Sequence, residues 1–311
     1  RILEVGKEKF NNELWETVSS WEPDILFIFM MTDEFDPKVL DRIRNETRTK
    51  IIAWFADDTW RFWNYSRYWA PHFDWIVTTY PEPYRWYQEL GFKNIIYAQW
   101  AINPKLYRPL TGGEKSDVSF VGSQTKSRVD VMKTLEQAGV SVVTYGSGWE
   151  KGRLSDEDMV RLFSETKINL GLNTLENEYS LFRFAKFCFR RSLNRPVLDF
   201  WHYYRNFYSW FKGKDIVQLK GRTFEIPACG GFLLTGYATD LEKVYKIGEE
   251  IAVYEKIEDA PRLIRYYLEH EDERKRIARA GYERTIKDHT WARRFEDVFA
   301  QAGFSLSEKK Q

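Results

Sequence analysis

Residues 220–235 read KGRTFEIPACGGFLLT. Two cations and a carboxylate come first, a short apolar turn follows, and a double glycine precedes a run that can only be buried. We predict a short helix over residues 223–229, ended in a left-handed conformation by Gly230 or Gly231. FLLT, at 232–235, is then a buried strand. A helix that leads directly into a buried strand is typical of an α/β fold.

Short apolar runs of the same kind recur along the rest of the chain. Each is continuous rather than alternating, as strands covered on both faces are. Helix-like stretches separate them, so we predict β-α-β winding and parallel sheets. The runs are ILFIFM (25–30), IIAWFA (51–56), WIVTT (75–79), IIYAQW (95–100), VSFVGS (118–123), VSVVTYG (140–146) and INLGLN (168–173).

The segment NPKLYRPLTGGEKSD (103–117) breaks this pattern with two prolines, two glycines and mixed charge. We interpret it as a linker between two domains, residues 1–108 and 109–311. From about Asp240 the chain is mainly helical. The predicted fold class is therefore α/β, with two doubly wound Rossmann-like domains facing a cleft, a short or truncated N-terminal domain and a helical C-terminus. The last helix is expected to pack back on the N-terminal domain.

Composition limits the possible classes of protein. The chain has 311 residues and a formal net charge of +1, so it has no global attraction to nucleic acid or membrane, although a local patch stays possible. Its two cysteines, Cys188 and Cys229, form no metal or disulfide framework and suit a reducing compartment. No apolar run reaches the roughly 18 residues of a transmembrane helix, so we predict a cytoplasmic protein.

The start of the 220–235 stretch has the features of an anion site. Lys220 and Arg222 add two cations to the predicted helix N-terminus, where free amides and the helix dipole also favour a diphosphate. Glu225, one turn on, would accept two hydrogen bonds from a vicinal diol such as a ribose. The stretch therefore indicates a nucleoside diphosphate. The alternative is that Arg222 and Glu225 only pair with each other on a helix surface.

The acidic triplet Asp156-Glu157-Asp158 resembles a metal-binding sequence, but a helix start explains it better. Ser155 as N-cap with Asp158 three residues on forms a capping box, and acids favour the positive end of a helix. We therefore predict no metal site and no cofactor.

The ordered series of motifs in the second half identifies a family resemblance. The 220–235 stretch, DLEKVYKIGEEIAVY (240–254) and IRYYLEHEDERKRIARAGYERTIKDHTWARR (264–294) resemble the C-terminal domain of CgeB-like glycosyltransferases. The resemblance continues upstream through VSFVGSQTKSR, VVTYGSGW and LSDEDMVRLFSETKINLGLN, and covers most of residues 115–300. WEPDILFIF and IIAWFADDTW fit more loosely, and the first strand of the N-terminal domain is expected upstream of Arg1. The resemblance implies a GT-B fold, related to the large retaining glycosyltransferases.

The resemblance also implies where a nucleotide sugar binds. The C-terminal domain would hold this donor: Lys220 and Arg222 would neutralise the leaving diphosphate, and Glu225 would bind the ribose. The remaining donor residues would approach the phosphates (Gly122, Ser123 and Arg128) or border the base (Tyr145, Gly146, Leu172 and Asn173).

Transfer also needs an acceptor hydroxyl aimed at the anomeric carbon. Asp57 and Asp58 end the run IIAWFADD and are candidate bases for an inverting enzyme, or otherwise a helix cap and a loop aspartate. Many retaining relatives carry a further glutamate eight residues before the ribose-binding one, where this chain has Val217. Transfer without a metal, with retention favoured over inversion, is the expected chemistry. A GT-B-fold nucleotide-sugar epimerase and a non-catalytic module that binds a nucleotide sugar or an anionic surface remain alternatives.

The segment 181–214 looks like an enlargement of a shorter family loop. It carries eight cations against Asp199 as its one acid, and twelve of its 34 residues are aromatic. Pro196 suggests two helices joined by a turn. The segment is either a helical pair that packs its aromatics on the core or a patch that docks on anionic lipid and brings a lipid-linked acceptor to the cleft. An anionic glycan and, less favoured, nucleic acid are further candidate partners.

Overall fold

The computed structural model describes residues 1–173, 187–193, 195–213 and 216–304. Its strands are β1 (Ile25–Phe29), β2 (Lys50–Phe55), β3 (Trp75–Thr78), β4 (Ile95–Tyr97), β5 (Ser116–Val121), β6 (Val143–Tyr145), β7 (Thr166–Gly171), β8 (Phe189–Ser192), β9 (Arg195–Leu198), β10 (Leu233–Gly236) and β11 (Ala252–Tyr254).

Its helices are α1 (Ile2–Val5), α2 (Lys7–Trp21), α3 (Pro37–Glu46), α4 (Asp58–Arg61), α5 (Arg67–Trp69), α6 (Pro81–Glu89), α7 (Lys126–Gln137), α8 (Asp156–Glu165), α9 (Tyr203–Gly213), α10 (Arg222–Ala228), α11 (Leu241–Val244), α12 (Ala260–Glu269), α13 (Glu271–Asp288) and α14 (Trp291–Gln301). A π-helical turn over Phe62–Ser66 joins α4 to α5, and short 3₁₀ turns cover Ala70–His72, Phe200–His202 and Ile257–Asp259.

The chain forms two compact units. Unit 1 comprises Arg1–Gln99, Glu178–Asp215 and Glu296–Gln311. Unit 2 comprises Trp100–Asn177 and Ile216–Phe295. The predicted linker 103–117 lies inside unit 2, and the segment 181–214, predicted to belong to the second domain, lies in unit 1.

Unit 1 contains a parallel sheet in the order β1-β2-β3-β4. One register row crosses it through Ile28, Ala53, Ile76 and Ile95, all of them buried in one core cluster. These residues come from the continuous apolar runs, whose strand character the structure confirms.

Unit 2 contains a parallel five-stranded sheet in the order β11-β10-β7-β5-β6. A row of buried residues crosses it through Ala252, Leu234, Leu170 and Phe120. Two core clusters pack against this sheet. The α/β class, the parallel sheets and the helical C-terminus that the sequence predicted are confirmed.

The basic aromatic segment differs from its prediction. In its described part, β8 and β9 form an antiparallel hairpin, and α9 follows after a 3₁₀ turn. Pro196 therefore lies in a strand instead of between two helices. Arginine, β-branched and aromatic residues around it suit an exposed two-stranded ribbon, where a proline without a donor is tolerated.

Candidate functional site

A cavity of about 590 Å³ opens in unit 2 beside the carboxyl ends of β5 and β7. This is the edge of a parallel sheet where ligands bind in α/β folds. The cavity brings together eight of the residues predicted for donor binding: Gly122, Ser123, Arg128, Leu172, Asn173, Lys220, Arg222 and Glu225. They come from three separate stretches of chain, which the fold gathers around one space.

The turn after β5 is held by backbone and side-chain contacts. The amide of Gly122 donates to the carbonyl of Tyr145 at 2.9 Å, and its carbonyl accepts from the Trp149 indole at 2.8 Å. The Arg128 guanidinium donates to the Ser123 carbonyl at 2.7 Å. The turn is thus fixed at the cavity wall, with a cation beside it.

Tyr145 and Gly146 were predicted to border the base, but they are not among the lining residues. Gly146 has φ 130°, and a Cβ there would lie 2.1 Å from the carbonyl oxygen of Gly122. Both residues contact the Gly122 turn, and their place beside a base stays a prediction. A steric requirement for glycine at this point is visible only in three dimensions.

The helix of the 220–235 stretch forms as α10, one residue earlier than predicted. Gly230, with φ 70°, and Gly231 close it by donating to the carbonyls of Pro227 and Ile226, which is a Schellman motif. At its start, the amides of Thr223 and Phe224 already donate to the carbonyls of Lys220 and Gly221. The predicted anion site therefore depends on the side-chain cations more than on free helix amides.

Arg222, Glu225 and Tyr107 form a polar cluster on the cavity wall. The Arg222 guanidinium pairs with the Glu225 carboxylate, as the surface-pair alternative predicted. Burial, together with the nearby charge and hydrogen bond of Glu225, raises the pKa of the Tyr107 hydroxyl well above its usual value. The pair is thus part of the wall of a cavity.

Asn173 is held in one orientation. Its side-chain amide donates to Thr235 Oγ1 at 3.0 Å and to the Gly236 carbonyl at 2.9 Å, both on β10. Asn173 and its neighbour Leu172 both line the cavity.

Sequence reasoning missed part of the cavity wall. Trp100, Asn103, Leu106 and Tyr107 line it, although 103–117 was interpreted as a linker. Trp291, at the start of α14, lines it as well. The aromatic and polar residues among the prolines of 103–117 were the sequence signal that could have indicated a role in the cavity wall.

The two candidate bases lie in unit 1, after β2. Asp58 has only 1% of its surface exposed and accepts hydrogen bonds from Ser66 and from Tyr87 at 3.2 Å. Burial raises the pKa of its carboxyl to about 7, against those hydrogen bonds and the charge of Arg61. A base must contact the acceptor hydroxyl, so the role of this buried carboxyl as a base stays a prediction. Asp57 is partly exposed at the cap position of α4, and its role stays a prediction.

The acidic triplet begins α8 as predicted. Ser155 accepts from the Asp158 amide at 3.1 Å and donates to the Asp158 carboxylate at 2.7 Å. Within the part of the chain that the structure describes, no group of three His, Cys, Asp or Glu side chains is placed to hold a metal ion. No described helix is long and apolar enough to cross a membrane.

Comparisons with known proteins agree with this geometry. A family model described as glycosyl transferase-like matches residues 193–300, which include the 220–235 stretch. The spore protein CgeB of Bacillus subtilis (strain 168) is 23% identical over 289 residues, which cover 88% of this chain and 81% of CgeB.

Solved structures with similar folds were also found. Sucrose-phosphate synthase from Thermosynechococcus elongatus aligns with a TM-score of 0.59 at 10% identity, over 97% of this chain and 77% of the synthase. Anabaena HepE in complex with UDP-glucose aligns with a TM-score of 0.59 at 9% identity, over 94% of this chain and 81% of HepE. At these identities the likeness shows the fold, which is GT-B. The comparisons agree with the resemblance seen in the sequence: the chain has the GT-B fold and is similar to CgeB and to the glycosyl transferase-like family.

Proposed function

We propose that this glycosyltransferase takes a sugar from a nucleoside diphosphate bound in the unit 2 cavity and transfers it to an acceptor hydroxyl without a metal ion. The observation that carries the proposal is the convergence of Lys220, Arg222 and Glu225 with the Gly122 turn around one cavity. That a fold neighbour, HepE, was solved with UDP-glucose supports the choice of donor class.

The cations would act on the leaving group. As the glycosidic bond breaks, negative charge develops on the diphosphate, and preorganised positive groups that face it lower the barrier. Lys220 and Arg222 are the groups of the 220–235 stretch that line the cavity and carry this charge. Arg222 is oriented by Glu225, so the carboxylate would both hold the guanidinium and accept the ribose hydroxyls.

Retention of configuration is the proposed stereochemistry. An inverting enzyme needs a base at the acceptor hydroxyl. Asp58 is buried and hydrogen-bonded, so its carboxyl is not exposed to an acceptor. Val217, which stands where many retaining relatives have a glutamate, packs partly buried against a core cluster. The donor sugar hydroxyls would then be bound by other groups of the cavity wall, of which Asn173 and Trp291 are candidates.

The test is a screen of nucleoside diphosphate sugars for hydrolysis and for binding by calorimetry, with the anomeric product followed by NMR. We expect one donor to be turned over with chelator present. Arg222→Ala and Glu225→Ala should each lower turnover by at least about 100-fold, because leaving-group or ribose contacts are lost. The free energy of unfolding should change by less than about 1 kcal/mol, since the pair is partly exposed.

Matched controls come from an exposed pair on α13. Arg279 and Glu283 form an ion pair of 3.0 Å at i,i+4, away from the cavity lining. Arg279→Ala and Glu283→Ala should leave turnover unchanged. Full activity in Arg222→Ala and Glu225→Ala would refute the site assignment, and loss of solubility in both would favour a purely structural pair. A strict requirement for manganese or magnesium would refute metal independence and return attention to Asp156 and Asp158.

A further inference from the structure

Helix α9 in unit 1 has its polar side facing the protein. Ser209 is fully buried and donates to the Trp60 carbonyl, and Asn206 accepts from Asn64 at 2.8 Å. Gly213 lies so close to α4 that a Cβ would be 2.1 Å from the Thr59 carbonyl oxygen. The helix is therefore fixed to unit 1 through small and polar residues.

The opposite side of α9 is aromatic and exposed. Tyr204, Phe207, Tyr208 and Phe211 recur at i, i+3, i+4 and i+7, and all four are exposed, Tyr204 to 80%. The 3₁₀ turn before the helix adds Phe200 and Trp201, and Trp201 is 92% exposed. These six residues form what we call the aromatic face. A helix with apolar residues outward reverses the usual arrangement in a globular protein, and large exposed apolar surfaces mark interaction sites.

The hairpin beside the aromatic face is fastened to unit 1. Ser192 donates to the Asp33 carboxylate at 2.9 Å, and the Leu193 amide donates to it at 3.1 Å. Burial opposes ionisation of Asp33, but these hydrogen bonds and Lys7 outweigh it and lower its pKa. On the second strand, Val197 and Leu198 are exposed. The hairpin thus extends the apolar surface on a fixed support.

The same region is basic. Over 187–213 the sequence has five cations (Arg190, Arg191, Arg195, Arg205 and Lys212) and one carboxylate, Asp199, in a chain whose formal net charge is only +1. The described side chains of Arg205 and Lys212 lie over the rings of Tyr68 and Tyr208, at 4.5 and 5.6 Å. Positive charge and exposed aromatic rings therefore share one surface.

We propose that the aromatic face docks this protein on an anionic lipid bilayer, with Trp201 inserted at the level of the headgroups. Tryptophan and tyrosine favour that level because one end of each ring is apolar and the other is polar, and cations beside them are attracted to anionic lipids. A second copy of the chain is disfavoured because two such basic surfaces would repel each other. Nucleic acid is disfavoured because Val197 and Leu198 have no flat ring for a base to stack on.

The inference goes beyond the proposed function, and its test needs no sugar transfer. Flotation with vesicles of phosphatidylcholine containing about 30% phosphatidylglycerol measures binding to an anionic bilayer. We expect binding at low salt, loss of most of it at about 500 mM salt, and none to phosphatidylcholine alone. Arg195, Arg205 and Lys212 changed together to Glu should weaken binding by at least about 100-fold, at about fivefold per cation removed.

Matched controls separate docking from general effects. Trp201→Ala should weaken vesicle binding about tenfold, whereas Trp21→Ala, which removes another strongly exposed tryptophan of unit 1 (75%), should leave it unchanged. Each Lys or Arg to Glu change subtracts two charges. The control triple of Lys9, Lys38 and Lys93 to Glu therefore lowers the net charge from +1 to −5, as the test triple does, and should still bind.

Three results would overturn the proposal. One is failure of the wild-type protein to float with anionic vesicles at low salt. Another is equal loss of binding in the test and control triples. The third is a dimer, seen by sedimentation and abolished by Trp201→Ala, which would assign the aromatic face to a second copy.

Discussion

The carboxyl edges of the two parallel sheets differ: the edge in unit 2 borders a cavity, whereas the edge in unit 1 is largely covered. In unit 2 the residues after β5 and β7 leave space, and Gly122 and Asn173 line a cavity there. In unit 1 most of the polar residues after β2 and β3 are buried and hydrogen-bonded within the unit. Thr79, for example, donates to the Ala56 carbonyl at 3.0 Å and accepts from Gln99 at 2.7 Å. A strand end is thus a candidate binding site only where the following chain does not cover it.

Part of the cover in unit 1 comes from chain far away in sequence. The π-helical turn over Phe62–Ser66 closes directly over Asp58, and α9 packs on α4 and on this turn. Among the residues that the structure describes, no such turn lies over the unit 2 cavity, whose lining residues are mostly in loops and at helix starts. Three predictions test this contrast, beginning with the largest expected effect.

The first concerns the covered carboxyl of Asp58. Its pKa in the folded chain is about 7, against 3.8 as the ordinary value, so between these pH values the folded state holds a proton that the unfolded state has lost. Unit 1 should therefore lose stability as pH rises from about 4 to about 7, by up to about 4 kcal/mol. Asp58→Asn should abolish this dependence and be more stable than wild type at pH 8.

The pH dependence of unit 1 stability is measured by hydrogen exchange, followed by mass spectrometry in peptides of β2 and α4. Asp57→Asn is the matched control, since Asp57 is partly exposed. A pH profile that is the same in wild type and Asp58→Asn would show that the strand end in unit 1 is open to water.

The second prediction has the opposite sign and concerns His289 in unit 2. Burial lowers its pKa to about 4 from 6.5, and its Nε2 lies 2.9 Å from the Val244 carbonyl, to which the neutral ring donates. Between these values the unfolded state holds the extra proton, so unit 2 should gain up to about 3 kcal/mol as pH rises from about 4 to 6.5.

His289→Gln keeps a donor for Val244 but cannot titrate in this range. Exchange in peptides of α13 should become independent of pH over this range in the variant. An exposed histidine, His270, changed to Gln provides the control and should leave the dependence intact. Persistence of the wild-type profile in His289→Gln would assign the proton to another group.

The third prediction compares two glycines with equal steric constraints. A Cβ at Gly146 or at Gly213 would lie 2.1 Å from a backbone carbonyl oxygen, of Gly122 in one case and of Thr59 in the other. Each change to Ala should cost about 2–3 kcal/mol of unfolding free energy. Gly146→Ala should weaken nucleotide binding and spare vesicle binding, and Gly213→Ala should do the reverse. Equal effects of both variants on both ligands would mean that the two regions are not separate.

Features fixed by neighbouring residues were predictable from the sequence. The capping box at Ser155, the left-handed Gly230 and the continuous apolar strands depend on local backbone preferences, and the structure has them all. The ordered motifs then placed the donor residues, eight of which meet at one cavity.

What the sequence left open depends on contacts between distant segments. Asp58 follows a strand as predicted, but its carboxyl is also bonded to Tyr87, 29 residues further along the chain. The hairpin at Pro196 is held by Asp33, over 150 residues away along the chain. Neither arrangement has a local signature, and the role of Tyr107 beside Glu225 likewise depends on the fold of a segment that resembled a linker.

The Trp149 indole donates to the Gly122 carbonyl in the cavity wall, so its N–H signal in an NMR spectrum would report on ligand binding there. The chain has 13 tryptophans, so an indole-labelled ¹⁵N spectrum holds few enough signals to assign by substitution. Trp100, Trp149 and Trp291 would report on events at the cavity, and Trp201 on events at the aromatic face. A single spectrum can therefore follow two ligands at two places in one titration, and show whether either one alters the signals that belong to the other.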